Sequence, residues 1–125
     1  MASYQELHLW QKAVTLVKQV YALTRTFPIT EQYALTTQIN RSVVSVPSNI
    51  AEGWARNSTK DFVRFLCIAR GSLAEVETQL TIARDLGYIT SAEAESVLGS
   101  STELSKMISA SITSLKTKIR LATSL

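Results

Sequence analysis

Apolar residues recur along this chain at alternating intervals of three and four, the spacing of one face of an α-helix. They do so in four successive segments. The first, about 4–26, carries Leu7, Trp10, Val14, Val17, Tyr21 and Thr24 on that spacing. A second set, Leu9, Ala13, Leu16, Val20 and Leu23, runs beside it. Together they form a face too wide for one seam of a small bundle. Such a helix should be buried on more than one side, within the fold or against another chain. Phe27-Pro28 should end the segment, because proline disfavours helical geometry in the residue before it.

The second segment, about 30–56, carries Leu35, Ile39, Val43, Val46, Ile50 and Trp54, with Pro47 in its interior. The stripe keeps its phase across the proline, staying within a sector of roughly 100°. One helix kinked at Pro47, with the Val43 carbonyl deprived of its usual donor, fits that continuity. The alternative is two helices separated by a turn. Asn57–Thr59 is a loop signal, and Ser58 with Asp61 forms a capping pair for a third segment, about 59–86. That segment buries Phe62, Phe65, Leu66, Ala69, Leu73, Val76, Leu80 and Ala83, and Gly87 is placed to end it. Thr90 with Glu93 opens a fourth, about 91–122, with Val97, Leu98, Leu104, Ile108, Ile112, Leu115 and Ile119 on one face. Gly99 lies early in it, where a glycine weakens a helix. Four amphipathic helices with short connections predict an all-α, antiparallel up-down-up-down four-helix bundle in a single domain, 1–125.

Composition narrows the chemistry. Four glycines and two prolines among 125 residues are too few for the turns of an all-β domain. No apolar run approaches a membrane span, and the N-terminus lacks the features of a secretory signal. The single cysteine, Cys67, cannot form an intrachain disulfide and suits a reducing cytoplasm. Cys67 reads as a small buried or interface residue rather than a nucleophile. His8, the one histidine, has no histidine or cysteine to join it in a metal site. Neither a Walker motif nor a GxGxxG is present. We therefore expect no enzyme, no metal and no cofactor.

The formal charge is +3, and its placement matters more than its size. Glu31, Asp61, Glu93 and Glu95 fall near helix starts, and Arg25, Arg56, Arg84, Lys116, Lys118 and Arg120 near helix ends. That is the arrangement the helix macrodipole favours. Part of the basic charge also makes a candidate nucleic-acid surface. Lys12, Lys18 and Arg25 follow Glu6 with no intervening acid, and Lys106, Lys116, Lys118 and Arg120 follow Glu103 likewise. The second helix carries a polar stripe of Gln38, Arg41, Ser45, Ser48, Asn49, Glu52 and Arg56, about 130° from the apolar one. Ser45, Ser48 and Asn49 flank Pro47 and can bond backbone groups that a kink frees. Ser72, Glu75 and Gln79 supply polar partners on the third helix. A polar network at a helix–helix or subunit contact is the favoured reading, with plain solvation and a ligand site as alternatives.

Three stretches carry a family resemblance: FPITEQYALTTQINR (27–41), SVPSNIAEG (45–53) and GSLAEVETQL (71–80), followed by LGYI (86–89). In these the chain resembles the 23S rRNA intervening-sequence proteins. The resemblance implies an antiparallel four-helix bundle assembled as a homopentamer, with no catalytic residues to carry over. The chain is also similar to the accessory variability determinants of diversity-generating retroelements. That likeness implies nucleic acid, or a nucleic-acid-processing protein, as a further partner. Two functions follow as expectations: a self-assembling scaffold or adaptor, and an oligomeric nucleic-acid binder.

Overall fold

The computed structural model describes residues 3–123. Four helices follow one another: α1 (His8–Thr24), α2 (Leu35–Ala55), α3 (Thr59–Asp85) and α4 (Ser91–Thr123). Single 3₁₀ turns precede α1 (Tyr4–Glu6) and α2 (Ile29–Glu31), and no strand occurs among the described residues. Each helix packs on two neighbours: α1 on α2, α2 on α3, α3 on α4, and α4 back on α1, with no close backbone approach between diagonal helices among the described residues. The result is the expected up-down-up-down four-helix bundle.

The helix starts depart from a strict reading of the periodicity, for local reasons. Ser3 caps the first 3₁₀ turn by accepting from the Gln5 amide, and Leu7 is extended, so α1 begins only at His8. The Gln11 side chain donates to the Gln5 carbonyl at 2.9 Å, and Tyr4 meets Trp10 edge-on, which together hold the turn against the helix. At the start of α2 the carboxylate of Glu31 does two jobs. It accepts from the Leu35 amide at 3.4 Å and from the Tyr88 hydroxyl at 2.7 Å. The residues after Pro28 therefore form a 3₁₀ turn tied to the α3–α4 connection rather than the first turn of α2.

The caps follow their sequence signals. Ser58 accepts from the Asp61 amide at the head of α3. Thr90 and Glu93 bond each other's amides reciprocally at the head of α4. Gly87, with φ +80, ends α3, while the Tyr88 amide reaches back to Ala83 and the Gly87 amide to Arg84. Asn57, with φ +54, makes the matching left-handed turn after α2. Gly99 does not interrupt α4.

Leu16, Ile39, Ile50, Leu66, Leu73, Leu80, Leu104 and Ile108 are fully buried at the centre. α2 runs unbroken through Pro47, which is itself buried, so the two-helix alternative does not hold. Of the two apolar sets on α1, the one containing Leu9, Ala13, Leu16, Val20 and Leu23 faces this core. Trp10, Val17 and Tyr21 of the other pack against its edge and stay half-buried, as does Val14. Gly53 is buried where α2 crosses α3. A Cβ there would sit 2.5 Å from the Cβ of Phe65, so only glycine permits this approach.

Candidate functional site

Of the polar residues that the sequence marks on α2 and α3, one pair meets across the two helices. Counting along the antiparallel pair α2 and α3 brings Ser45 level with Ser72, and their hydroxyls are hydrogen-bonded to each other. Ser72 is buried, and the bond crosses between the helices. The other stripe residues bond locally. Ser45 Oγ reaches the Ser42 carbonyl at 2.9 Å, Ser48 donates to Val44 at 2.8 Å, and the Asn49 amide donates to Ser45 at 2.7 Å. None of these three bonds goes to the Val43 carbonyl. Glu52 and Arg56 form an exposed pair at 3.3 Å. Gln38, Arg41 and Glu75 are exposed, with no side-chain partner among the described residues. Gln79 buries its Oε1 without a hydrogen-bond partner, as Gln19 does on α1. Ser45 and Ser72 thus form a cross-helix link, and around them lie short bonds back to the helix backbone.

The basic candidates divide. Lys12 reaches across from α1 to Glu103 of α4 at 2.9 Å, so its charge is partnered. Lys18 and Lys106 are exposed partway along their helices, and Arg25 caps the far end of α1. Lys116, Lys118 and Arg120 occupy the last turns of α4. In an antiparallel bundle that end also holds the start of α1 and the α2–α3 connection. Arg56, Lys60 and Arg64 therefore join the same end, against Glu6, Glu52 and Asp61. Arg56 and Arg64 both lie over the Phe65 ring, at 5.1 and 4.6 Å from its centroid, and pair with Glu52 and Asp61. Lys60, Lys116 and Lys118 have no ion-pair partner among the described residues. The opposite end carries Glu31, Asp85, Glu93 and Glu95 against Arg25 and Arg84. The bundle is electrically polarised along its axis.

At the basic end lies an open cavity of roughly 640 Å³, lined among others by Tyr4, Trp54, Phe62 and Leu115 and by Asn57, Ser58, Thr59 and Lys118. Sequence reasoning assigns Trp54 to the core stripe and misses this cavity. The one signal is positional: a tryptophan in the last turn of a stripe lies at a bundle end, where the core opens to solvent. Ser101 of α4, fully buried and bonded to Glu77 of α3 at 2.9 Å, is a second polar contact the periodicity does not disclose. Cys67 is half-buried and His8 exposed, and no group of three or more potential metal ligands occurs among the described residues. No helix of the structure is long and apolar enough to cross a membrane.

A family model described as 23S rRNA-intervening sequence protein matches residues 5–110, most of the bundle. Lys116, Lys118 and Arg120 lie outside that range. The fold is similar to the 1.70 Å crystal structure of a protein with unknown function from the S23 ribosomal protein family of Bacteroides thetaiotaomicron VPI-5482. That protein is 30% identical, with a TM-score of 0.76 and a match covering 83% of this chain and 97% of that one. No curated protein matches this chain.

Proposed function

This chain belongs to the 23S rRNA-intervening sequence protein family, and on that premise we propose that it is a non-catalytic cytoplasmic bundle that assembles with copies of itself as a scaffold or adaptor. The observation that carries this reading is the second apolar face of α1. Trp10, Val14, Val17 and Tyr21 lie over about three turns of one helix, half-buried by their own chain. In a ring of four helices only one face of each can look inward, so this second face meets either water or another copy. Covering apolar surface is worth about 25 cal/mol per Å², and the aromatic pair supplies the wide, stiff side chains that anchor interfaces. Ile68 and Ile82, each 43% exposed, form a separate apolar surface on α3, the helix diagonal to α1. The pentamer implied by the family resemblance is the assembly to look for. Light scattering coupled to size exclusion tests this: the wild-type chain runs as one discrete oligomer at micromolar concentration, and Val17→Lys shifts it toward a folded monomer. A wild-type monomer under those conditions would remove the reading.

The axial charge separation favours a second reading, an oligomer that binds nucleic acid through its basic ends. A ring of parallel copies would multiply Lys60, Lys116 and Lys118 by the subunit number, and phosphate binding by such a patch weakens steeply with salt. No binding to RNA or DNA at low salt, or a salt-independent signal, argues against it.

A further inference from the structure

We infer that the cavity at the basic end receives an unstacked base of a single-stranded nucleic acid, with Trp54 and Tyr4 as its stacking surfaces and Lys118 holding an adjacent phosphate. The inference deepens the nucleic-acid reading above and rests on it.

Three observations point to this occupant. Size comes first: roughly 640 Å³ lies in the range of about 300–1,000 Å³ typical of pockets that enclose small organic groups. A purine or pyrimidine fits with space to spare, whereas a duplex does not enter. The second is the lining. Trp54 and Tyr4 are half-buried, each braced edge-on by another ring, Trp54 by Phe62 at 5.5 Å and Tyr4 by Trp10 at 5.3 Å. Bracing fixes the rings while leaving part of each open to the cavity. Stacking on such a ring is tolerant of base identity, because every base has a π-face. The side chain of Asn57 in the lining adds an amide able to donate to and accept from a base edge.

Charge is the third. Lys118 lines the cavity, exposed and with no ion-pair partner among the described residues, and Lys60, next to the lining residue Thr59 on α3, is likewise exposed and unpaired. An aromatic pocket alone would accept any apolar group. A pocket with Lys118 on its lining and Lys60 beside it fits an aromatic ligand carried on a polyanion. A single strand supplies both, one base for the cavity and successive phosphates for the lysines.

The test uses Trp54 as its own reporter. The chain has two tryptophans, so Trp10→Phe leaves Trp54 as the single emitter while keeping an aromatic ring beside Tyr4. Titration with a short oligo(dT) at low salt should quench its emission, whereas inorganic polyphosphate or a duplex of equal length should not. Trp54→Leu, with helix content checked by circular dichroism, should weaken oligo(dT) binding roughly 5- to 150-fold and leave the salt dependence unchanged. If that variant does not fold, the quenching titration decides alone. Salt-dependent binding of oligo(dT) without quenching, at undiminished affinity in Trp54→Leu, would overturn the pocket and leave the basic-end reading standing. Absence of any oligonucleotide binding would overturn both. Quenching by a phosphotyrosine peptide but not by oligo(dT) would assign the cavity to a protein partner and overturn the inference.

Discussion

At Gly53 the absence of one methyl group sets how closely α2 and α3 approach. A Cβ would meet the Phe65 Cβ at 2.5 Å and the Phe62 ring at 3.2 Å, and the nearer atom is fixed to its backbone. Gly53→Ala should therefore destabilise the fold by about 1–3 kcal/mol in chemical denaturation, although alanine is the better helix former. An unchanged midpoint would mean the helices separate at little cost. Tyr88 gives a second test. Its hydroxyl donates to the Glu31 carboxylate, and that bond, with some burial and the nearby negative charge, raises its pKa above the ordinary tyrosine value of 10.0. The stabilisation is thus complete below the unfolded-state pKa and is lost as pH rises through the higher folded value. Tyr88→Phe should remove that part of the alkaline loss of stability, as read from thermal melts across the alkaline range. At this scale sequence was a partial guide. The capping pairs and Gly87 were legible because cap chemistry is local. The Tyr88–Glu31 bond was not, because it joins residues 57 positions apart.

For α2 the question at the scale of the element is what a proline costs inside a continuous helix. Position 47 offers no amide to the Val43 carbonyl, and proline is about 3 kcal/mol less favourable than alanine in a helix interior. Against that, Pro47 is buried, and trimming its ring to a methyl forfeits roughly 0.8 kcal/mol per buried CH₂. Pro47→Ala should thus raise stability by about 1 kcal/mol. A loss of that size or more would show that the bend expected at the proline is needed for packing on α3. The Ser45–Ser72 bond links the same two helices, and a double-mutant cycle to alanine should return a coupling of about 0.5–1.5 kcal/mol. A coupling near zero would make the pair incidental. The polar stripe itself was readable as a 3.6-residue period. Which of its members bonds across the seam was not, since helical phase fixes direction from one axis and says nothing of the neighbour's rotation.

Taken whole, the molecule has an axial charge separation that no single helix possesses. Lys116, Lys118 and Arg120 contribute little to packing, so changing all three to glutamine should leave thermal stability nearly unchanged. On the nucleic-acid reading the same change should reduce the slope of log affinity against log salt by about 2 for a single strand. An unaltered slope would place the phosphate contacts elsewhere. The seven basic residues marked in the sequence are not gathered at one end of the bundle: Lys12 pairs with Glu103 of α4, and Arg25 caps the opposite end of α1. Sequence by itself determined four helices, their order, their caps and most of their buried faces, since hydrophobic period and capping chemistry are written within about 20 residues of each other. Only the tertiary structure decided which apolar set of α1 turns inward, which charges remain unpaired, and that Tyr4, Trp54, Phe62 and Leu115 line one open cavity. Those outcomes depend on the relative rotation and level of separate helices, which side chains distant in the chain fix only as they pack.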